Sequence, residues 1–329
     1  MTCWFSDALA SYLSERQLPS KTEHEVKATF ARFYASYPDR PIREVGKSDV
    51  RRFRESLLAG DAKTGKGKGA LAPATVRKYM NLLGTVFHHA VRTGLLDVSP
   101  VAGMAFVVRG GVLADAAGKR QPFSAEQLRT LFASRVYQKD APRDALWWLF
   151  PLGLYTGCRM EEVMALRAED VREIDGILCF VIEPRSDRPL KTSSSRRVVP
   201  VHDALIDLGL IRKRVEGKSG LLFPELRRDA RHGTYTAALS KKAGRLLRSL
   251  GLSRTVTSHS ARHCFADALR AAKVEPEVRA RLLGHSLGSI TERYGRGHPV
   301  NVLRDAVNVV RYEGLVIDLH DGSEIVALV

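Results

Sequence analysis

LLGHSLGSITERYG (residues 282–295) sets a tyrosine, Tyr294, nine residues after a histidine, His285. Three earlier strings accompany it in chain order: TGCRMEE (156–162) with Arg159 and Glu162, PLKTSSSRRVVPV (189–201) with Lys191, and HSARH (259–263) with His259, Arg262 and His263. Each side chain has an elementary reading. A guanidinium is always charged and grips phosphate through two parallel hydrogen bonds, so Arg159 and Arg262 suit the negative charge that gathers on a phosphorus under attack. A phenol ordinarily ionises at about pH 10, and a cluster of cations would lower that value enough for Tyr294 to act as a nucleophile. A lysine on a turn between strands, as Lys191 is here, can reach into a groove and give a proton to a departing oxygen. His259 and His285 can donate to phosphate oxygens. His259 and His263 have the spacing of a helical zinc pair, but Ser260 follows His259 where the metalloprotease motif has glutamate, so no metal site is expected. Taken singly, each residue has a commoner reading: surface arginine, packing tyrosine, solvated lysine. Their order and spacing carry the weight.

Outward from these strings the chain reads as helices with a few strands. Between Ala74 and Arg92, Val76, Met80, Leu83, Phe87, Ala90 and Val91 recur at helical spacing. Pro73 suits the first turn of that helix and Thr93-Gly94 its end. Earlier helices are expected over Phe5–Arg16, Glu23–Tyr37 and Ser48–Ala59, making residues 1–104 a helical domain. Positive charge is scattered over it, including Arg77 and Lys78. The glycine- and lysine-rich AGDAKTGKGKGALA (59–72), with Lys63, Lys66 and Lys68, cannot hold regular structure. It is either a basic loop touching phosphates or a solvated loop with no task. Residues 105–121 read as a connection. Ser124 to Gln127 forms a capping box that opens a second domain over 122–311. There a buried helix is expected over Trp147–Thr156, ending at Gly157, and another over Glu161–Arg167. Val171–Ile174 and Ile177–Ile182 flank Asp175-Gly176 as a hairpin, and Arg197–Val201 is a third strand. Helices are expected over Ala204–Glu216, Thr234–Ser249, Ala261–Ala272 and Glu277–Leu283. The tail, 312–329, reads as strand or extended chain. The fold class is mainly α with a small antiparallel β-sheet (α+β).

The 329 residues carry 52 Lys and Arg against 36 Asp and Glu, a net charge of +16, the footprint of a nucleic-acid binder. Apolar content of 44% is enough for a sizeable core. The four cysteines are scattered with no C-x-x-C pair, which excludes a disulfide framework or zinc knuckle. MTCWFSDALASYLSER lacks the charged and apolar regions of a signal peptide, and no apolar run reaches the roughly 18 residues of a membrane span. A cytoplasmic, nucleoid-associated protein with no membrane partner is expected.

Read jointly, the strings resemble the tyrosine recombinases of the phage-integrase family, from about residue 5 to residue 296. The family's TG-x-R-x-x-E box is matched at 156–162, its H-x-x-R-H box at 259–263 and its L-G-H at Leu283-Gly284-His285, ahead of Tyr294. Its strand-borne lysine is matched by Lys191, in the pattern K-T-x-x-S-x-R-x-V-P. Ala261 departs from the family's usual leucine, which would loosen packing under Arg262. The resemblance implies a core-binding domain (1–104) clasping DNA opposite a catalytic domain. It implies attack by Tyr294 on a phosphodiester, giving a 3′-phosphotyrosyl link and a free 5′-hydroxyl. Arg159, Arg262, His285 and His259 would bind the non-bridging oxygens, Lys191 would protonate the leaving oxygen, and Glu162, with His263, would support the catalytic groups. No cofactor is implied, neither ATP nor a divalent metal. The partners implied are double-stranded DNA recombination sites, held by a homotetramer on two sites, with accessory proteins left open. The tail is either a segment that docks on a neighbouring protomer or an intramolecular edge strand. A type IB-like topoisomerase and a catalytically silent sequence-specific DNA-binding protein are the alternative readings.

Overall fold

A computed structural model describes residues 3–60, 70–104, 120–138, 140–188, 190, 193–230, 233–286, 297–312, 316–317 and 326–327. The chain forms two compact units, Met1–Ala117 and Gly118–Val329.

In the first unit α1 (Phe5–Glu15), α2 (Ser20–Ser36) and α3 (Lys47–Ala59) each pack on α4 (Pro73–Arg92). The reason lies in the apolar stripe of α4, where Val76, Met80, Leu83, Val86, Phe87 and Ala90 are all buried. Phe5 stacks on Phe87 with ring centres 4.8 Å apart and meets Phe30 and Phe33 at a tilt, so one aromatic cluster joins α1, α2 and α4. Pro73 opens α4, and the Thr93 hydroxyl donates to the His89 carbonyl at its end.

The second unit is built on α6 (Ala145–Thr156), which follows α5 (Ala125–Phe132). Asp144 caps α6 by accepting from the backbone of Leu146 and Trp147. Pro151 has no N–H, which leaves the Trp147 carbonyl without its helical partner, and the Tyr137 hydroxyl donates to it at 3.0 Å. At the other end Gly157 turns the chain with φ +60, and an added Cβ would lie 2.2 Å from the Phe265 ring. The nearby Leu154 carbonyl accepts from the Tyr312 hydroxyl at 2.8 Å. Next to α6 runs α11 (Ser260–Ala271). A Cβ on Gly153 would come within 2.8 Å of the Ala261 Cβ, so the two helices cross where both residues are small. The loosening expected of Ala261 is therefore absent: the residue is fully buried and the backbones close the gap that a leucine would fill.

The sheet is β1 (Val171–Ile174), β2 (Ile177–Ile182) and β3 (Arg197–Pro200), antiparallel in that order. Asp175 and Gly176 both have positive φ, as a two-residue turn between twisted strands requires. α12 (Pro276–Leu283) and α13 (Val300–Asn308) pack against β3.

Three expectations are corrected. The helix expected over Glu161–Arg167 stops early as α7 (Met160–Met164), because the backbones of Leu166 and Ala168 pair with Leu222 and Gly220 instead of continuing the helical ladder. The helix expected over Ala204–Glu216 is two short ones, α8 (Asp203–Asp207) and α9 (Leu210–Arg214), broken at Gly209 with φ +79. Residues 300–308 form α13, which had no expected helix, and it buries Leu303 and Val307 in the core of this unit. α10 (Ala237–Ser249) lies close to its expected bounds. The tail contributes β4 (Val316–Ile317) and β5 (Val326–Ala327), which pair with each other, and β4 lies against α5. Among the described residues no helix is long and apolar enough to cross a membrane.

Candidate active site

The site forms where the C-terminal ends of α6 and α12 meet. A helix end leaves carbonyls without intrahelical partners, and the end of a macrodipole favours cations there. α12 stops at Gly284, which takes φ +62. Three successive carbonyls at this end each accept from a different arginine: Leu282 from Arg197 Nε at 2.8 Å, Leu283 from Arg262 Nη2 at 2.6 Å, and Gly284 from Arg159 Nη2 at 3.4 Å. Arg262 also donates from Nη1 to the Gly157 carbonyl at 2.6 Å, where α6 ends. The L-G-H string thus has a physical reading: the glycine makes the turn that aims the carbonyls and sets His285 beside Arg262. A Cβ on Gly284 would stand 2.7 Å from Arg197 Nη1.

Glu162 organises the cations. One oxygen accepts from Arg159 Nη1 at 2.7 Å, and the other from the Arg159 backbone N–H at 2.9 Å and from Arg197 Nη2 at 2.8 Å. Arg159 Nη1 also donates to Ser195 Oγ at 3.0 Å. Burial alone would raise the Glu162 pKa, but the charge and hydrogen bonds of Arg197, then those of Arg159, outweigh it and hold the carboxyl below its ordinary value. Glu162 is therefore an anion that fixes Arg159 by both backbone and side chain.

Arg262 is different. It is buried, and its partners among the described residues are the two carbonyls and His285 Nε2, at 2.8 Å, with no carboxylate. Burial first, then the neighbouring Arg159 and Arg197 charges, lower its pKa to about 10, still far above neutrality. Among the described residues, Glu162 is shared by Arg159 and Arg197 while Arg262 has no carboxylate, so three guanidiniums stand against one anion and the cluster keeps excess positive charge. His285 is exposed at the edge, yet its ring is partly covered. That desolvation, and then Arg262, lower its pKa. His259, at the N-cap of α11, is pushed down to about 4 by burial and then by Arg262 and His263. Both imidazoles are neutral at pH 7, each with one N–H to donate and one lone pair to accept with. His263 stands edge-on to the His259 ring at 5.2 Å.

Of the residues expected here, the structure brings together Arg159, Glu162, Arg262 and His285, with His259 and His263 at the start of α11. Lys191 and Tyr294 lie outside the described residues, as do Lys63, Lys66 and Lys68. Arg77 and Lys78 are exposed on α4, and Lys78 pairs with Glu25 on α2 at 2.7 Å. Sequence reasoning matched Ser195 and Arg197 as the S and R of the K-T-x-x-S-x-R-x-V-P pattern but gave neither a role. Arg197 is nearly sealed from solvent and also donates to the Ser195 carbonyl and the Cys158 sulfur. The signal was available: in Arg197-Val198-Val199 the inward alternation of β3 places the arginine on the same side as buried Val199. Also unremarked were Lys241, Lys242 and Arg245, exposed on α10.

A helical unit and a mainly α unit with a three-stranded sheet, the latter carrying a cluster of arginines, histidines and one glutamate, make the fold and the candidate site. The phage integrase family matches residues 123–299, and the phage integrase SAM-like domain matches residues 4–107. The chain belongs to the phage-integrase family of tyrosine recombinases. It is 25% identical over 304 residues to the tyrosine recombinase XerC of Agrobacterium fabrum, covering 87% of each chain. In fold it is similar to the Tn1549 transposon integrase solved in complex with circular intermediate DNA, with a TM-score of 0.63, 18% identity, and 92% and 98% of the two chains covered. It is also similar in fold to the lambda integrase solved as a tetramer bound to a Holliday junction, with a TM-score of 0.59, 15% identity, and 90% and 79% covered.

Proposed function

We propose that the protein recombines specific DNA sites by cutting and rejoining strands through Tyr294, without metal or ATP. The observation that carries this reading is the buried, carboxylate-free Arg262 beside Arg159 and two neutral histidines, an arrangement built to receive one phosphodiester anion. The Tyr294 oxygen attacks phosphorus as the bond to the 5′-oxygen breaks, leaving the DNA joined to the enzyme by a 3′-phosphotyrosyl link. The cation cluster lowers the Tyr294 pKa, so the phenol gives up its proton to solvent and attacks as the phenolate; His259 donates its N–H to a non-bridging oxygen, and Lys191 gives a proton to the departing 5′-oxygen. Arg159, Arg262 and His285 hold the non-bridging oxygens, where preorganised donors act most strongly on the developing charge. A 5′-hydroxyl from a partner strand reverses the step, so the bond energy stays in the link and neither ATP nor metal is consumed.

The helical unit, with Arg77, Lys78 and the lysines at 63, 66 and 68, is proposed to grip the duplex, joined by the exposed cations of α10. Its connection (105–121) leads to the catalytic domain (122–311). Exchange between two duplexes calls for four protomers, as in the lambda integrase assembly, and the tail from 312 onward is proposed to pass from its own α5 to that of a neighbour. Such a protein acts on DNA in the cytoplasm, at the nucleoid.

A nicked suicide duplex tests the reading, made from the sequence the protein selects from a random library. In EDTA, wild type is expected to give a covalent adduct on a denaturing gel and Tyr294→Phe none. A band shift with no adduct from wild type would instead support a binding protein without chemistry.

A further inference from the structure

Two described residues that flank Lys191 in sequence, Arg188 and Ser195, are both buried in polar contacts. On the far side, Ser195 is fully buried, accepting from Arg159 through its hydroxyl and from Arg197 through its carbonyl. On the near side stands a second buried cluster that plays no part in the chemistry above. Arg188 is almost wholly enclosed. It donates to Asp170 Oδ2 at 2.8 Å, to the Glu183 carbonyl at 2.9 and 3.2 Å, and to the Ala165 carbonyl at 3.3 Å. Asp170 is equally enclosed and also accepts from Arg185 Nη1 at 2.6 Å and from the Arg167 backbone at 2.9 Å. Arg185 and Arg188 exchange backbone hydrogen bonds at 3.0 and 3.1 Å, closing a tight turn at the end of β2.

A buried ion pair adds little net stability, because desolvation offsets most of the attraction. A turn that needed only to be folded could be packed with apolar residues. A guanidinium that spans three acceptors on two separate segments does something apolar packing cannot: it fixes the turn at Arg188 by directional bonds. The chain reaches Lys191 three residues later. Resting on the reading of Lys191 as the general acid, we propose that Arg188, held by Asp170, is a positioning residue that aims Lys191 at the leaving 5′-oxygen.

The test separates aim from folding by changing the leaving group. Sulfur in place of the 5′-oxygen leaves as a thiolate, whose conjugate acid has a pKa of about 8.5, so it needs no proton from the enzyme. Single-turnover cleavage is measured with Arg188→Met on the selected duplex, with oxygen or sulfur at the scissile 5′ position. Asp170 keeps Arg185 and the Arg167 backbone as partners in that variant, and Asp170→Asn serves as a second variant should Arg188→Met fail to fold. Loss of about 10- to 100-fold on the oxygen substrate is expected, with recovery to near wild type on the sulfur substrate and unchanged DNA affinity. Equal loss on both substrates, or no loss on either, would overturn the proposal. Lys191→Ala is run alongside. If it is not rescued by sulfur, the reading of Lys191 itself falls, whatever Arg188 does.

Discussion

At Gly284 the backbone adopts φ +62, and the space a Cβ would need is taken by Arg197. Both facts weigh on one residue. An L side chain in that region costs about 1–2 kcal/mol from backbone sterics alone. Displacing Arg197 would then uncover Glu162, which is buried and relies on Arg197 and Arg159 for its charge. Gly284→Ala is therefore expected to lower the melting temperature and to cut the cleavage rate by more than about 10-fold, while DNA affinity changes little. Parallel melting curves and single-turnover assays would check it. A variant that melts lower yet cleaves at the wild-type rate would show that the three carbonyls merely close a helix. Arg159, Arg262 and His285 could be picked out from the sequence because their strings keep fixed spacing. Arg197 has a place in the K-T-x-x-S-x-R-x-V-P pattern and on the inward face of β3, but its bonds to Glu162 and the Leu282 carbonyl join segments far apart in sequence and could not be read locally.

Between elements, polar side chains close the ends that helices leave open. His202 is an example outside the catalytic cluster. Its Nδ1 accepts from the Ala204 backbone at the start of α8, while Nε2 donates to the Val310 carbonyl after α13, at 3.1 Å. Only the neutral ring can do both, and burial lowers its pKa from 6.5 to about 4. The unfolded chain then binds more protons than the folded one between these two values. Stability is full above pH 6.5, declines as pH falls below it, and levels off below about pH 4. The loss from His202 amounts to about 3 kcal/mol, with His259 acting in the same direction. Urea melts of wild type and His202→Gln across pH 4 to 7 should show a shallower pH dependence in the variant, and identical slopes would exclude His202 as a source. Helix positions were largely legible, because apolar stripes such as that of α4 are local. The early end of α7 was not, because it depends on backbone pairing with Leu222 and Gly220, which are distant in sequence.

For the molecule as a whole, the tail divides at Tyr312. That side chain is half-buried, and its hydroxyl reaches the Leu154 carbonyl at the end of α6, so Tyr312 belongs to the catalytic unit although the sequence boundary fell at Arg311. A chain cut after Tyr312 is expected to keep its fold and its affinity for a single site, and to lose the slower complex of two DNA sites on a native gel. A chain cut after Arg311 should melt lower as well. Unchanged pairing by the chain cut after Tyr312 would mean that β4 and β5 serve only their own α5.

The sequence by itself determined the helical and mixed character of the two parts and the strings from which Arg159, Glu162, Arg262 and His285 come together, because periodicity and motif spacing are properties of the chain. Tertiary structure alone decided how those residues are held. Three carbonyls at one helix end, a glutamate shared by two arginines and an enclosed Arg188 arise only when segments far apart in sequence converge. Burial then turns ordinary surface cations into preorganised ones, since leaving them unbonded away from water would be costly.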